Sequence, residues 1–263
     1  MNINTDNQKF RNDIARDLTL LKASLLKVNL EKRTIDTIDT AIKELNNPNY
    51  LPPVNTVVNG QDVKQSTPMS WGYTAKNLVF TVDTTGIQYP LSVKTGKLTF
   101  DISLSGAYDK STEILDPFHH LEFNLVLEGL SRKGNYHILS YHLDRHITGG
   151  NHPEEVHPIY HFQLGGHRLK KVSNNNFGHS LFIDSPRFMH YPMDIVLGID
   201  FITSNFSPKT WKKLRSDQTY IGVLQRSQKR TVLPFITSLS QHFGMSAKTP
   251  NCWKAKDIWP QLL

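Results

Sequence analysis

The apolar residues of this chain change their spacing twice, and that alternation limits the fold more than any motif does. Phe10, Ile14, Leu18, Leu21, Leu25 and Val28, followed by Ile35, Ile38, Ile42 and Leu45, recur at intervals of three and four. Such a stripe occupies one face of a helix with 3.6 residues per turn. Two helices with Asn29 capping the second, or one long helix with a shifted stripe, satisfy the spacing equally. With fewer than four clean heptads, the stripe reads as core packing rather than a coiled coil.

From about Asn77 the period falls to two, the signature of strands. The predicted strands are 78–82, 97–105, 121–128, 136–144, 157–164 and 180–184. Leu98, Phe100, Ile102 and Leu104 alternate with Thr99, Asp101, Ser103 and Ser105, and Leu121, Phe123, Leu125 and Leu127 alternate with Glu122, Asn124, Val126 and Glu128. One buried face and one wet face imply a mostly antiparallel sheet. Gly134-Asn135 and Gly149-Gly150 supply turn signals for hairpins or a meander.

After Pro186 the helical period returns. Ile195, Ile199, Ile202 and Phe206 form a stripe, and Val196, Leu197 and Phe201 make that helix apolar nearly all round, hence buried. Asp194 falls in its opening turn, where Arg187 is a candidate partner for it or for Asp200. Ser207-Pro208 starts a short helix bearing Trp211 and Leu214, and a longer helix runs from Gln218 toward Phe243, bent at Pro234 and stopped at Gly244. The tail with Trp253 and Trp259 is either docked or mobile.

The expected fold class is therefore α+β: a mostly antiparallel sheet with one face covered by N-terminal and C-terminal helices. Residues 1–46 form the N-terminal helical segment and 47–76 a proline-rich linker. Residues 77–206 form the sheet core with the buried helix, and 207–263 a basic helical part, all in one compact domain. The 263 residues are 38% apolar and 20% charged, the composition of an ordinary globular protein, which excludes collagen-like and wholly disordered chains. No apolar run approaches the roughly 18–20 residues of a membrane span, and the polar start, Met1 to Asp13, carries no signal core. Cys252 is the single cysteine, so no internal disulfide or multi-cysteine zinc site can form, and a cytoplasmic setting is expected. Without an evident base nearby, Cys252 reads as a packing residue.

The net charge of +7 is unevenly spread. Residues 1–46 hold 8 basic and 7 acidic side chains, 47–206 hold 12 and 14, and 207–263 hold 10 and 2, giving +1, −2 and +8. A basic end on a nearly neutral body suggests a polyanion or an acidic protein surface as partner. Lys209, Trp211, Lys212, Lys213, Arg215, Arg226, Lys229 and Arg230 interleave cations with an aromatic ring, as phosphate contact and base stacking require, and a solvated helix face uses the same pattern. No nucleic-acid fold signature accompanies them.

Histidine is the one compositional anomaly: nine of twelve lie between His137 and His190, a 54-residue span. If Leu139, Tyr141 and Leu143 face the core, His142 and Asp144 face outward, and His157, His161 and Gln163 join them when Tyr160, Phe162 and Leu164 point in. Imidazole beside carboxylate suits proton transfer near neutral pH or a divalent metal ion. In a regular strand His157 and His161 lie about 13 Å apart and cannot share an ion. No His-Glu-x-x-His, His-x-His or Cys-x-x-Cys motif is present, so no metal ligand set and no cofactor is named by motif. The same strand runs into Gly165-Gly166, whose amides could cradle an anion with His167, Arg168, Lys170 and Lys171. Glycine loops of the familiar nucleotide-binding forms and the Gly-x-Ser-x-Gly elbow are absent.

Two functions follow as expectations. The first is a non-catalytic binding or adaptor subunit of a cytoplasmic multi-subunit assembly, meeting a protein partner or nucleic acid through the basic C-terminal part, with no membrane role. The second is a metal-assisted hydrolase that uses His142, Asp144, His157, His161 and His167.

Overall fold

Asn29 has a left-handed backbone (φ 55°) and closes the first helix instead of capping the second. The N-terminal stripe is thus two helices, α1 (Ile3–Leu26) and α2 (Lys32–Asn46). This computed structural model describes residues 3–50, 55–58, 61–64, 71–86, 93–106, 118–145, 157–165, 187–247 and 254–262. The expected strand at 180–184 lies outside the described residues. Ile14, Leu18, Leu21 and Leu25 of α1 and Ile35, Ile38 and Leu45 of α2 are all buried, so both stripes face inward.

The linker segment contains a small antiparallel hairpin, β1 (Asn55–Val58) with β2 (Gln61–Lys64). Among the described residues the main sheet has six strands: β3 (Trp71–Val82), β4 (Val93–Gly106), β5 (His120–Ser131), β6 (Tyr136–Arg145), β7 (Tyr160–Leu164) and β8 (Phe188–Met189). They pair in chain order, each antiparallel to the next, which is a meander. β3 starts seven residues before the predicted strand because its alternation slips. Trp71, Tyr73 and Ala75 are buried in one phase and Leu78, Phe80 and Val82 in the other. A bulge between Ala75 and Leu78 accounts for the slip, with Asn77 left-handed (φ 62°) and its N–H donated to Asp101 Oδ1 (2.7 Å). The free edge of β3 is covered by α2. Thr34 Oγ1 donates to the Val79 carbonyl (3.0 Å) and accepts the Val79 N–H (2.8 Å), while Glu44 accepts the Thr74 N–H (2.7 Å). Polar side chains thereby occupy the backbone groups a second chain would otherwise pair with.

Four C-terminal helices follow among the described residues: α3 (Ile195–Phe206), α4 (Pro208–Arg215), α5 (Gln218–His242) and α6 (Ala255–Ile258). Asp194 sits one position before α3, as its cap, and Oδ1 accepts the N–H groups of Val196 and Leu197 (both 3.0 Å). Ser207 is the N-cap residue of α4, its carbonyl accepting the Trp211 N–H (3.0 Å), but its hydroxyl makes no capping bond: it donates to the Thr81 carbonyl (2.6 Å) and ties the α3–α4 junction to β3. A single apolar cluster draws residues from α1, α2, β3 to β7 and α3 to α5, with Phe100 and Phe123 4.6 Å apart at its centre. Among the described residues no helix is long and apolar enough to cross a membrane.

α3 reaches those rings only because residue 198 is glycine. A Cβ at Gly198 would stand 2.6 Å from Phe100 Cζ and 2.7 Å from Phe123 Cε2. Gly198→Ala should therefore destabilise the protein by about 1–3 kcal/mol, despite the better helix propensity of alanine. A urea midpoint that is unchanged or raised would contradict this packing.

The outer face of the sheet departs from the expected wet surface. Ser103, Ser105, His120, Ser140, His161 and Gln163 all point to it and all are buried. Period-two alternation reports which side of a strand a residue takes, and does not report what lies over that side.

Candidate functional site

The strand register assembles the histidine cluster. Asp144 pairs across to His161 and to Glu122, while His142 pairs to Gln163 and to Asn124. Being two apart on β6, His142 and Asp144 share a face, and His161 reaches the same point from β7. His142 Nε2 lies 3.5 Å from Asp144 Oδ2, and one donor atom from each of His142, Asp144 and His161 falls within 4.8 Å of the others. The cluster grades from inside to outside: His161 is 4% exposed, whereas the Asp144 side chain is 38% exposed.

His157 overturns the 13 Å separation expected of a regular strand. β7 begins only at Tyr160, so residues 157–159 are not extended with it, and the ring of His157 stands 4.5 Å from that of His161 at 82°. Pro158 lacks a backbone donor, and the Ile159 N–H donates to the Asp257 carbonyl (2.8 Å) of α6. The C-terminal segment is thus docked, with Ile258 buried, and it holds the bend that folds His157 over His161.

Burial lowers the pKa of His161 to about 3, reinforced by positive charge on His157, His142 and Arg187, against a weaker opposing hydrogen bond with the Pro158 backbone. The ring is neutral at physiological pH. Its Nδ1 is buried and makes no hydrogen bond among the described residues. A second polar pair on this face was not anticipated: His120 Nε2 lies 3.3 Å from Ser103 Oγ. The phase of His120 with Glu122 on β5 is the signal that would have found it. His167, Arg168, Lys170 and Lys171 lie outside the described residues. At the glycine turn, the Gly165 amide donates to the Ser140 carbonyl (2.7 Å).

The basic C-terminal part divides into two groups. Arg215 makes a two-pronged pair with Asp200 (Nε to Oδ1 3.1 Å, Nη2 to Oδ2 3.0 Å). Trp211 donates its indole N–H to the same carboxylate (3.1 Å), and the Arg215 guanidinium covers the Trp211 ring at 5.2 Å. Arg226 and Arg230 both donate to Asp17 of α1, at 2.7 and 2.6 Å. Arg230 also stands 3.8 Å from Asp194, so the partners of Asp194 and Asp200 come from the C-terminal helices and not from Arg187. Three arginines and the one tryptophan of this set are therefore held by contacts within the fold. Lys209, Lys212, Lys213 and Lys229 are exposed and make no salt bridge among the described residues.

α5 buries Tyr220, Val223, Leu224 and Phe235 together with Ser227, Thr231, Ser238 and Gln241. It exposes Leu233 (49%) and Ile236 (54%), and Phe243 (58%) stands exposed just past its end. With Gln225, Lys229 and Ser240 these fall at steps of three and four and form one outward stripe. No protein-family model, no curated protein and no solved structure matches the chain.

Proposed function

We propose that the protein is a binding subunit whose C-terminal helices receive an acidic, amphipathic helix of a protein partner. The observation that carries this reading is the outward stripe that runs from the exposed Lys229 through Leu233 and Ile236 of α5 to Phe243 just past its end, the last three all standing in solvent. An exposed apolar patch edged by cations suits a partner with apolar anchors and flanking carboxylates. The lysines of α4, Lys209, Lys212 and Lys213, extend the positive field, and residues 207–263 carry a net +8.

The same details weigh against nucleic acid. Stacking needs an open aromatic face, and Trp211 has Arg215 over its ring and Asp200 on its N–H. Phosphate contact favours arginine, and Arg215, Arg226 and Arg230 are committed to Asp200 and Asp17.

The test is affinity capture of partners from a native extract, followed by titration of the purified protein with the captured one. The captured protein should hold an acidic segment, and the complex should weaken with salt. Ile236→Glu, and separately Lys212→Glu with Lys213→Glu, should each lower the affinity at least about tenfold. A partner that tolerates both changes would remove the reading. So would retention of nucleic acid alone, or a self-association that Ile236→Glu abolishes.

A further inference from the structure

We propose that His142, Asp144 and His161 bind a divalent transition-metal ion of the zinc class on the outer face of β6 and β7. This site shares no residue with the partner surface and lies beyond that reading. The donor geometry is close to what an ion requires. With bonds of about 2.0–2.1 Å, a tetrahedral ion holds its donors about 3.3 Å apart. His142 Nε2 and Asp144 Oδ2 already stand at 3.5 Å, and all three donors lie within 4.8 Å. Asp144 reaches solvent, so rotation of its side chain can close the remaining gap without moving a strand.

A second observation is independent of the spacing. His161 is 4% exposed, and its buried Nδ1 makes no hydrogen bond among the described residues. Buried polar atoms are almost always satisfied, and an orphaned one calls for a partner that protein atoms do not supply. A cation supplies the missing partner, and a neutral imidazole keeps the lone pair that such an ion takes.

Two imidazoles and one carboxylate select first-row transition ions such as Zn2+, Co2+, Ni2+ or Fe2+ over Mg2+ and Ca2+, which prefer oxygen donors throughout. Three protein donors, with solvent on the Asp144 side, leave one coordination position for water. That is the pattern of open, reactive sites rather than of sealed four-ligand structural ones. His157 acts as a positioning residue: its ring, 4.5 Å from that of His161, fixes the orientation of the buried ligand, and the bend tied to Asp257 fixes His157.

The experiment uses the full chain, freed of metal by a chelator and titrated separately with ZnCl2, CoCl2 and MgCl2 under calorimetry. The cobalt sample is also read by visible absorption. One equivalent of Zn2+ or Co2+ should bind, with a visible cobalt band, and Mg2+ should not compete. Because His161→Gln removes a buried ring and can unfold the protein, the decisive variants are the more exposed Asp144→Asn and His142→Gln. Each should weaken Zn2+ binding by more than tenfold, at least the loss caused by removing an outer-shell partner. His157→Gln should shift the cobalt band while leaving the stoichiometry at one. Absence of Zn2+ and Co2+ binding by the wild-type chain would overturn the proposal. Undiminished affinity in both Asp144→Asn and His142→Gln would overturn it too, as would Mg2+ competing on equal terms.

Discussion

Asp17→Asn should cost about 3–5 kcal/mol of folding stability, the largest loss expected from a change of charge in this protein. The Asp17 carboxylate is 1% exposed and accepts from Arg226 Nε (2.7 Å) and Arg230 Nη1 (2.6 Å). Both arginines come from α5, more than 200 positions further along the chain. Neutralising Asp17 keeps the shape of the side chain and leaves Arg230, whose side chain is mostly buried, with Asp194 at 3.8 Å as its one remaining negative charge among the described residues. A stranded buried cation is penalised far more than the intact pair is rewarded. Arg226 is more exposed and can turn to water, so Arg226→Met should cost much less than Arg230→Met. Asp17→Leu combined with Arg226→Met and Arg230→Met should recover most of the loss, because no ion then remains to be desolvated. Urea midpoints for the four variants decide the matter. A cost below about 1 kcal/mol for Asp17→Asn would show that the network is not buried as described.

Acid should destabilise the protein through His161. Its pKa is about 3 in the folded chain, against 6.5 for a free imidazole. Between those values the unfolded chain binds a proton that the native one refuses, so stability falls as pH drops below about 6.5 and continues to fall toward 3. From pH 7 to pH 4.5 the loss from this group is about 2–3 kcal/mol. His190, lowered mainly by burial and only partly compensated by the Tyr191 backbone, adds a loss of the same sign. Urea unfolding of the wild type at the two pH values should show the slope, and His161→Gln should remove a large part of it while His190→Gln removes a separate part. An identical pH dependence in wild type and His161→Gln would mean that the ring is protonated in the native state. A bound transition ion steepens the same slope, since its ligands must be deprotonated.

The hydrophobic period carried much of this fold openly. Strands β4, β5 and β6 begin and end within four residues of the spans their alternation predicts, because β4 and β5 each keep one face largely buried and β6 pairs along the length of β5. The buried helix and the proline-opened helix after it appear at α3 and α4 for the same reason. Legibility failed where a local irregularity shifted the phase. The bulge beside Asn77 hid the first half of β3, and proline and asparagine in the linker masked the β1–β2 hairpin. Asn29 was ambiguous because asparagine serves both at helix starts and in left-handed helix ends.

Of the histidine–carboxylate cluster, the alternation of β6 already placed His142 and Asp144 on one side. That β7 lies beside β6 in the register that sets His161 against Asp144 is a property of strand order, which no local pattern encodes. The burial of His161 depends on a bend held by the Asp257 carbonyl, almost a hundred residues away. Charge behaves in the same way. The sequence alone determines that residues 207–263 carry +8, because charge is a sum over residues. Only the packing of α1 against α5 and of α3 against α4 decides that the arginines are spent on Asp17 and Asp200 and the lysines are left to solvent, because pairing depends on which distant surfaces meet.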